Sequence, residues 1–132
     1  KMEDSTVLVL ASENHAALRK RPAKGLLAGL YELPNLEGRL DREEVLAFVK
    51  DQGLSPIRIQ ELPAAKHIFS HIEWHMAGYA VKVEEPEPEQ FAEHPGRREK
   101  DGIFFVEKRQ MEETFSIPAA FSAYTRYFRE RF

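Results

Sequence analysis

Asp41 and Gly53 bracket the segment of this chain whose local structure is fixed most tightly by its own chemistry. An aspartate ahead of a helix accepts amide hydrogen bonds that the first turn leaves open, and Glu44, three residues on, completes a capping-box pair. Val45, Leu46, Phe48 and Val49 then make one apolar face, and Gly53 suits the left-handed stop position. These signals predict a helix over 42–52. Apolar runs of strand length stand before and after it, Thr6-Val7-Leu8-Val9-Leu10 and Ile103-Phe104-Phe105-Val106. Strands on either side of such a helix predict a sheet with helices packed against it, the α+β class.

The intervening chain fills in that outline. Ser12-Glu13-Asn14 is turn material, Ala16 to Arg21 reads as a return strand, and Pro22 stops it. Gly25 to Pro34 carries two glycines and a closing proline, which predicts a loop leading into a short strand at Tyr31-Glu32-Leu33. Further strands are expected at Ile57 to Gln60 and, as one long element, from Ala65 to Val83. The acidic stretch Glu84-Glu85-Pro86-Glu87-Pro88-Glu89 reads as an extended solvated loop. A second helix is expected over 117–129: Ser116 can cap it, Pro118 is tolerated in the first turn, and Ile117, Phe121, Tyr124 and Phe128 recur at helical spacing. There is no internal repeat, and 132 residues hold one core, so a single domain over 1–132 is expected.

Composition narrows the chemistry. A hydrophobic share of 42% is enough for a packed interior. The net charge of −3 argues against a protein held to nucleic acid by bulk charge alone, while leaving room for local basic patches. With no cysteine there is no disulfide framework, no thiolate metal or iron–sulfur ligation and no thiol nucleophile, and the lack is compatible with the cytosol. No run approaches 18 apolar residues, so no membrane-spanning helix is expected. The chain opens on Lys1 rather than Met, from which a segment of a longer protein is expected.

Residues that can carry chemistry concentrate between Lys66 and Met76, which hold three of the five histidines and the only tryptophan. On one straight strand His67, Phe69, His71, Glu73 and His75 share a face, opposite Ile68, Ser70, Ile72, Trp74 and Met76. A metal site on the polar face is opposed by distance, since His67 and His75 fall about 26 Å apart at roughly 3.3 Å per residue. The plainer alternative is a half-buried strand with its polar side in water. Basic residues cluster at Arg19-Lys20-Arg21 with Lys24, at Arg97-Arg98 with Lys100, and at Arg126, Arg129 and Arg131. Each cluster is either a phosphate contact or solvated surface. No phosphate-binding G-x-x-x-x-G-K-[ST] loop, H-E-x-x-H metal pair or G-x-S-x-G elbow is present.

The stretch Arg21-Pro22-Ala23-Lys24-Gly25-Leu26-Leu27-Ala28-Gly29-Leu30-Tyr31-Glu32-Leu33-Pro34 resembles the segment ahead of the Nudix box in Nudix-fold proteins. The resemblance implies a Nudix-like α/β/α sandwich with a mixed β-sheet. In that family the following helix carries Arg-Glu and Glu-Glu pairs that hold divalent cations against a diphosphate, because hard cations take oxygen ligands. Aligned on Gly53, this chain has Leu46-Ala47 and Lys50-Asp51 in those places. One carboxylate beside an ammonium does not assemble a multi-cation site, so the fold is expected without the hydrolysis.

Together with Lys66-His67-Ile68-Phe69-Ser70-His71-Ile72-Glu73-Trp74, the same stretch resembles the C-terminal domain of A/G-specific adenine DNA glycosylases of the MutY type. Tyr31 stands where Trp is common and Leu33 where Phe is frequent, both still apolar. The resemblance spans essentially the whole chain. It implies a non-catalytic domain that recognises 8-oxoguanine paired with adenine, while a separate N-terminal domain holds the catalytic carboxylates and a [4Fe-4S] cluster. This segment is then expected to bind no cofactor and no metal. Its implied partners are double-stranded DNA carrying 8-oxoguanine:adenine and the N-terminal glycosylase domain of the same chain. It is expected to be a monomer in the bacterial cytoplasm at the nucleoid. Phe69, Ser70 and His71 map onto the family's recognition turn, and Arg19, Arg21, Lys24, Lys66 and His67 are the candidate DNA-backbone contacts.

The chemistry of that role follows from the base. Guanine presents N7 as an acceptor in the major groove. Oxidation at C8 turns N7 into an N–H donor and sets a carbonyl oxygen beside it. A hydroxyl can accept from the first and donate to the second, which suits Ser70. Phe69 can pack on a base or wedge the stack, and His71 can donate to the purine edge or a phosphate. Two alternatives from other classes stay open, an active diphosphate hydrolase with an atypical metal helix and a protein-interaction module.

Overall fold

The computed structural model describes residues 1–94 and 102–129, so Arg97, Arg98, Lys100 and Arg131 lie outside the described residues. β1 (Met2–Ala11) is the centre of the sheet, and its run Val7-Leu8-Val9-Leu10 is buried on both faces. Such a two-sided apolar run is what a strand covered on both faces requires. Along one edge β1 pairs in parallel with β6 (Glu73–Val83), Met2 opposite Glu73 through Ala11 opposite Lys82. Its other edge is shared, β4 (Asn35–Glu37) covering Ser5 to Val7 and β2 (His15–Lys20) meeting Ala11 at the far end. β2 also pairs with β3 (Tyr31–Glu32) and β7 (Phe104–Glu107), and β5 (Pro56–Ile68) lines the outer side of β6. One parallel pairing among antiparallel ones makes the sheet mixed, as expected.

Alternation along β1 and β6 divides the interior in two. Val7, Val9, Trp74, Met76 and Ala80 face one layer, closed by Met111 of α2 (Lys108–Glu113) and by Phe121, Tyr124 and Phe128. Leu8, Leu10, Tyr79, Val81 and Val83 face the other, closed by Val45 and Val49 of α1 (Arg42–Asp51). Helix α1 forms as its signals predict. The Asp41 carboxylate accepts from the Glu44 amide at 2.8 Å, the Glu44 carboxylate accepts from the Asp41 amide at 3.0 Å, and Gly53 takes the left-handed turn with φ +80°.

Two expectations are corrected. The single strand over 65–83 is the end of β5, a turn at Phe69 to Ile72 and the start of β6. The turn carries no Gly, Pro, Asn or Asp, and a lone Ser70 is a weak mark of the reversal. The helix over 117–129 is instead a 3-10 turn (Ala119–Phe121), one α turn α3 (Ser122–Thr125) and a second 3-10 turn (Arg126–Arg129). Phe121, Tyr124 and Phe128 are still buried, and spacings of three and four are met by either winding.

Candidate functional site

The β5–β6 hairpin carries Phe69, Ser70 and His71, the candidate recognition residues. The Phe69 amide donates to the Ile72 carbonyl at 2.7 Å and closes the turn. Ser70 and His71 stand exposed at its tip. Phe69 is half-buried, meeting Trp74 edge-on with ring centres 4.9 Å apart and His67 at 4.7 Å. Trp74 rests in turn on Phe121 at 5.7 Å, and the Arg21 guanidinium lies 5.3 Å from the centre of its ring. Phe69 is thus anchored to the core layer by one edge while the hydroxyl and imidazole beside it face solvent.

Hairpin pairing also corrects the single polar face. Lys66 stands opposite His75 and His67 opposite Trp74, so His67 and Phe69 share the aromatic face while Glu73 and His75 join Lys66 on the reverse. His67 and His75 sit on adjacent strands rather than far apart along one. The Glu73 carboxylate bridges the reverse face, 2.9 Å from His75 Nε2 and 3.6 Å from Lys66 Nζ. The hydrogen bond to His75 holds the Glu73 carboxyl below its ordinary value, helped by the Lys66 charge and opposed by partial desolvation.

A bulge sets which side chains reach which face. Leu62 pairs with Gly78 and Ala65 with Met76, so β5 takes three steps where β6 takes two, and the parity beyond Leu62 is inverted. Pro63, which has no amide to leave unpaired, lies in the bulge. The Tyr124 hydroxyl donates to the Pro63 carbonyl at 2.9 Å, with the Met76 carbonyl at 3.3 Å. Its ring lies flush on Gly78, where a Cβ would come within 2.3 Å of a ring carbon. Burial pushes the Tyr124 hydroxyl up to about 12. None of Tyr124, Gly78 or the bulge is signalled in the sequence as part of a site.

The basic candidates divide by partner. Arg19 Nε donates to Glu32 at 3.0 Å and Arg21 Nη1 at 2.6 Å, and the Asn35 amide adds a third bond at 2.9 Å. Glu32 is 1% exposed, so both guanidiniums neutralise a buried carboxylate before anything else. Lys24 is exposed in the Gly25–Gly29 loop and has no ion pair among the described residues. Lys66 is held by Glu73, and His67 lies half-buried against Phe69. A cleft of about 490 Å³ opens beside Trp74, lined also by Lys1, Arg21, Asn35, Glu3, Asp4 and Glu37. Its three acidic side chains outnumber its two basic ones, so its charge does not favour phosphate.

The donors that a diphosphate-bound cation needs are not assembled on α1. Of its acidic residues Glu43 and Glu44 are in the first turn, and Glu44 is engaged in the cap. Among the described residues no three His, Asp or Glu side chains converge as ligands. The residues present do not fit the divalent metal of a diphosphate hydrolase.

A family model described as a NUDIX domain matches residues 6–126. Solved structures of the same fold include the C-terminal domain of mouse MUTYH in complex with human PCNA, at 20% identity and TM-score 0.65, covering 97% of this chain and 87% of that one. A MutT NUDIX hydrolase from Burkholderia pseudomallei aligns at 16% identity and TM-score 0.61, covering 93% and 95%. The NUDIX domain of Shewanella oneidensis NrtR, complexed with ADP ribose, aligns at 10% identity and TM-score 0.66, covering 99% and 88%. Likeness at these identities is likeness of fold.

Proposed function

This chain belongs to the NUDIX domain family, and within that family we propose that it is a non-catalytic lesion-reading domain of an adenine DNA glycosylase. On this reading it recognises 8-oxoguanine opposite adenine, and a catalytic domain of the same longer protein removes the adenine. The observation that carries the reading is the hairpin tip, where the Ser70 hydroxyl is exposed next to a phenylalanine fixed by stacking. A hydroxyl on a rigid turn meets the altered purine edge without first being ordered, which removes an entropic penalty from recognition. Ser70 accepts from N7–H or donates to the C8 oxygen, Phe69 presents its free edge to the base stack, and His71 reaches the purine edge or a phosphate. The domain acts as a monomer beside the nucleoid, with the iron–sulfur cluster held by its catalytic partner.

The test compares duplexes that differ only at one central pair. The chain is expected to bind the 8-oxoguanine:adenine duplex about ten- to a hundredfold more tightly than the guanine:adenine duplex, the range set by one good hydrogen bond and one relieved unpaired donor. Equal affinities would dispose of the reading. A hydrolase reading draws on the fold of the Burkholderia protein, but the Leu46-Ala47 and Lys50-Asp51 positions of α1 speak against it. Magnesium-dependent turnover of any nucleoside diphosphate derivative would revive it, and none is expected.

A further inference from the structure

Arg39 has no part in the reading so far, yet hydrogen bonds hold the residues on both sides of it. The fully buried Thr6 hydroxyl donates to the Gly38 carbonyl at 2.8 Å and accepts from the Leu40 amide at 2.9 Å, gripping the chain on both sides of Arg39. The Tyr79 hydroxyl adds a bond to the Leu40 carbonyl at 3.3 Å. The Arg39 side chain itself is exposed and has no ion pair among the described residues. With Lys66 and His75 it lines one shallow depression of about 280 Å³, whose other walls are Ala64, Ala65 and Met76. That depression belongs to the reverse face of the hairpin, and Lys66 is four residues ahead of Ser70 along it.

We propose that Arg39, Lys66 and His75 form a seat for a phosphodiester group of the DNA strand whose base meets the Phe69–His71 turn, an inference that rests on the reading of the turn given above. A phosphate is the ligand that fits. It takes the guanidinium fork of Arg39 in a bidentate pair and the ammonium of Lys66 as a point charge. The small alanine walls leave the oxygens room to approach. Glu73 is the opposing charge in the seat, bonded to His75 and near Lys66, so with neutral histidine the seat carries one net positive charge. The incoming phosphate draws Lys66 away from Glu73 rather than meeting a bare cation. On this face basic side chains outnumber the one carboxylate, whereas in the cleft beside Trp74 acidic side chains outnumber basic ones.

The experiment is a salt series with the whole chain on the 8-oxoguanine:adenine duplex and its guanine:adenine counterpart. The double variant Arg39→Gln with Lys66→Gln removes two charges from exposed positions, and a thermal melt confirms that it stays folded. We expect about tenfold weaker binding on both duplexes alike, and a log-affinity against log-salt slope shallower by about two. Glu73→Gln is expected to act oppositely and tighten binding to both duplexes several-fold. An unchanged slope in the double variant, or no binding of either duplex by the wild-type chain at low salt, overturns the seat. A wild-type chain that shows no lesion preference while the double variant still loses slope sinks the reading of the turn and leaves the seat standing. Inorganic phosphate that shifts the His75 ring resonances, with the slope unaffected, marks a site for free anions and counts against the DNA backbone.

Discussion

A serine hydroxyl reads an altered proton pattern well only if it stays out of the protein's own hydrogen bonds. Ser70 meets that condition, with its side chain in solvent and the turn closed by the backbone of Phe69 and Ile72. Ser70→Ala removes the hydroxyl that accepts from N7–H or donates to the C8 oxygen, so the lesion preference is expected to fall to within a few-fold of unity while affinity for the undamaged duplex is unchanged. Paired titrations of the two duplexes give that ratio directly. Arg21 illustrates the opposite situation. Replacing it with Met leaves the buried Glu32 carboxylate with one guanidinium and strips the cation from Trp74, and the expected loss is about 3 kcal/mol in denaturant unfolding. From the sequence Ser70 is legible as a site residue because its neighbours match a family turn. That Arg19 and Arg21 serve Glu32 first is not legible, since the partners are brought together only by the pairing of β2 with β3.

The hairpin is held in register by an element distant in sequence. Tyr124 presses on Gly78 and ties the bulge at Pro63, so its removal loosens the frame on which the turn is carried. Gly78→Ala forces a methyl into that ring and is expected to cost about 3 kcal/mol. Tyr124→Phe loses the hydrogen bonds and is expected to cost about 1 kcal/mol near neutral pH. The sign of the pH effect follows from the raised Tyr124 value. Folded protein holds the phenolic proton more tightly than the unfolded chain, so that stabilisation is complete below pH 10 and drains away as pH climbs toward 12. The span from 10.0 to about 12 corresponds to roughly 3 kcal/mol. Urea midpoints across that range are expected to fall more steeply for the wild-type chain than for Tyr124→Phe. Helix α1 was readable from residues 41–53 because every signal for it is local. The β5–β6 reversal is indicated only by the family resemblance at Phe69–His71, because its turn lacks Gly, Pro, Asn and Asp and its register depends on Tyr124, some 46 positions beyond Gly78.

Across the molecule the sheet separates two tasks. The ten-residue parallel pairing of β1 with β6 fixes the base of the hairpin, and the inverted parity beyond the bulge places His67 and Phe69 on one side and Lys66 with His75 on the other. For a chain of net charge −3, binding to DNA through the proposed seat is expected to fade quickly as salt rises. The two-layer α+β plan was legible in the alternation of apolar runs around one capped helix. The segregation of charge was not, because it arises from a single extra residue in β5. The most direct test of the account is a residue-by-residue comparison of amide chemical shifts in the chain bound to 8-oxoguanine:adenine and to guanine:adenine duplexes. The account predicts that the two spectra differ at Phe69, Ser70 and His71 and agree along α1 and around Arg39. Identical spectra at the turn, or differences centred on α1, would contradict it.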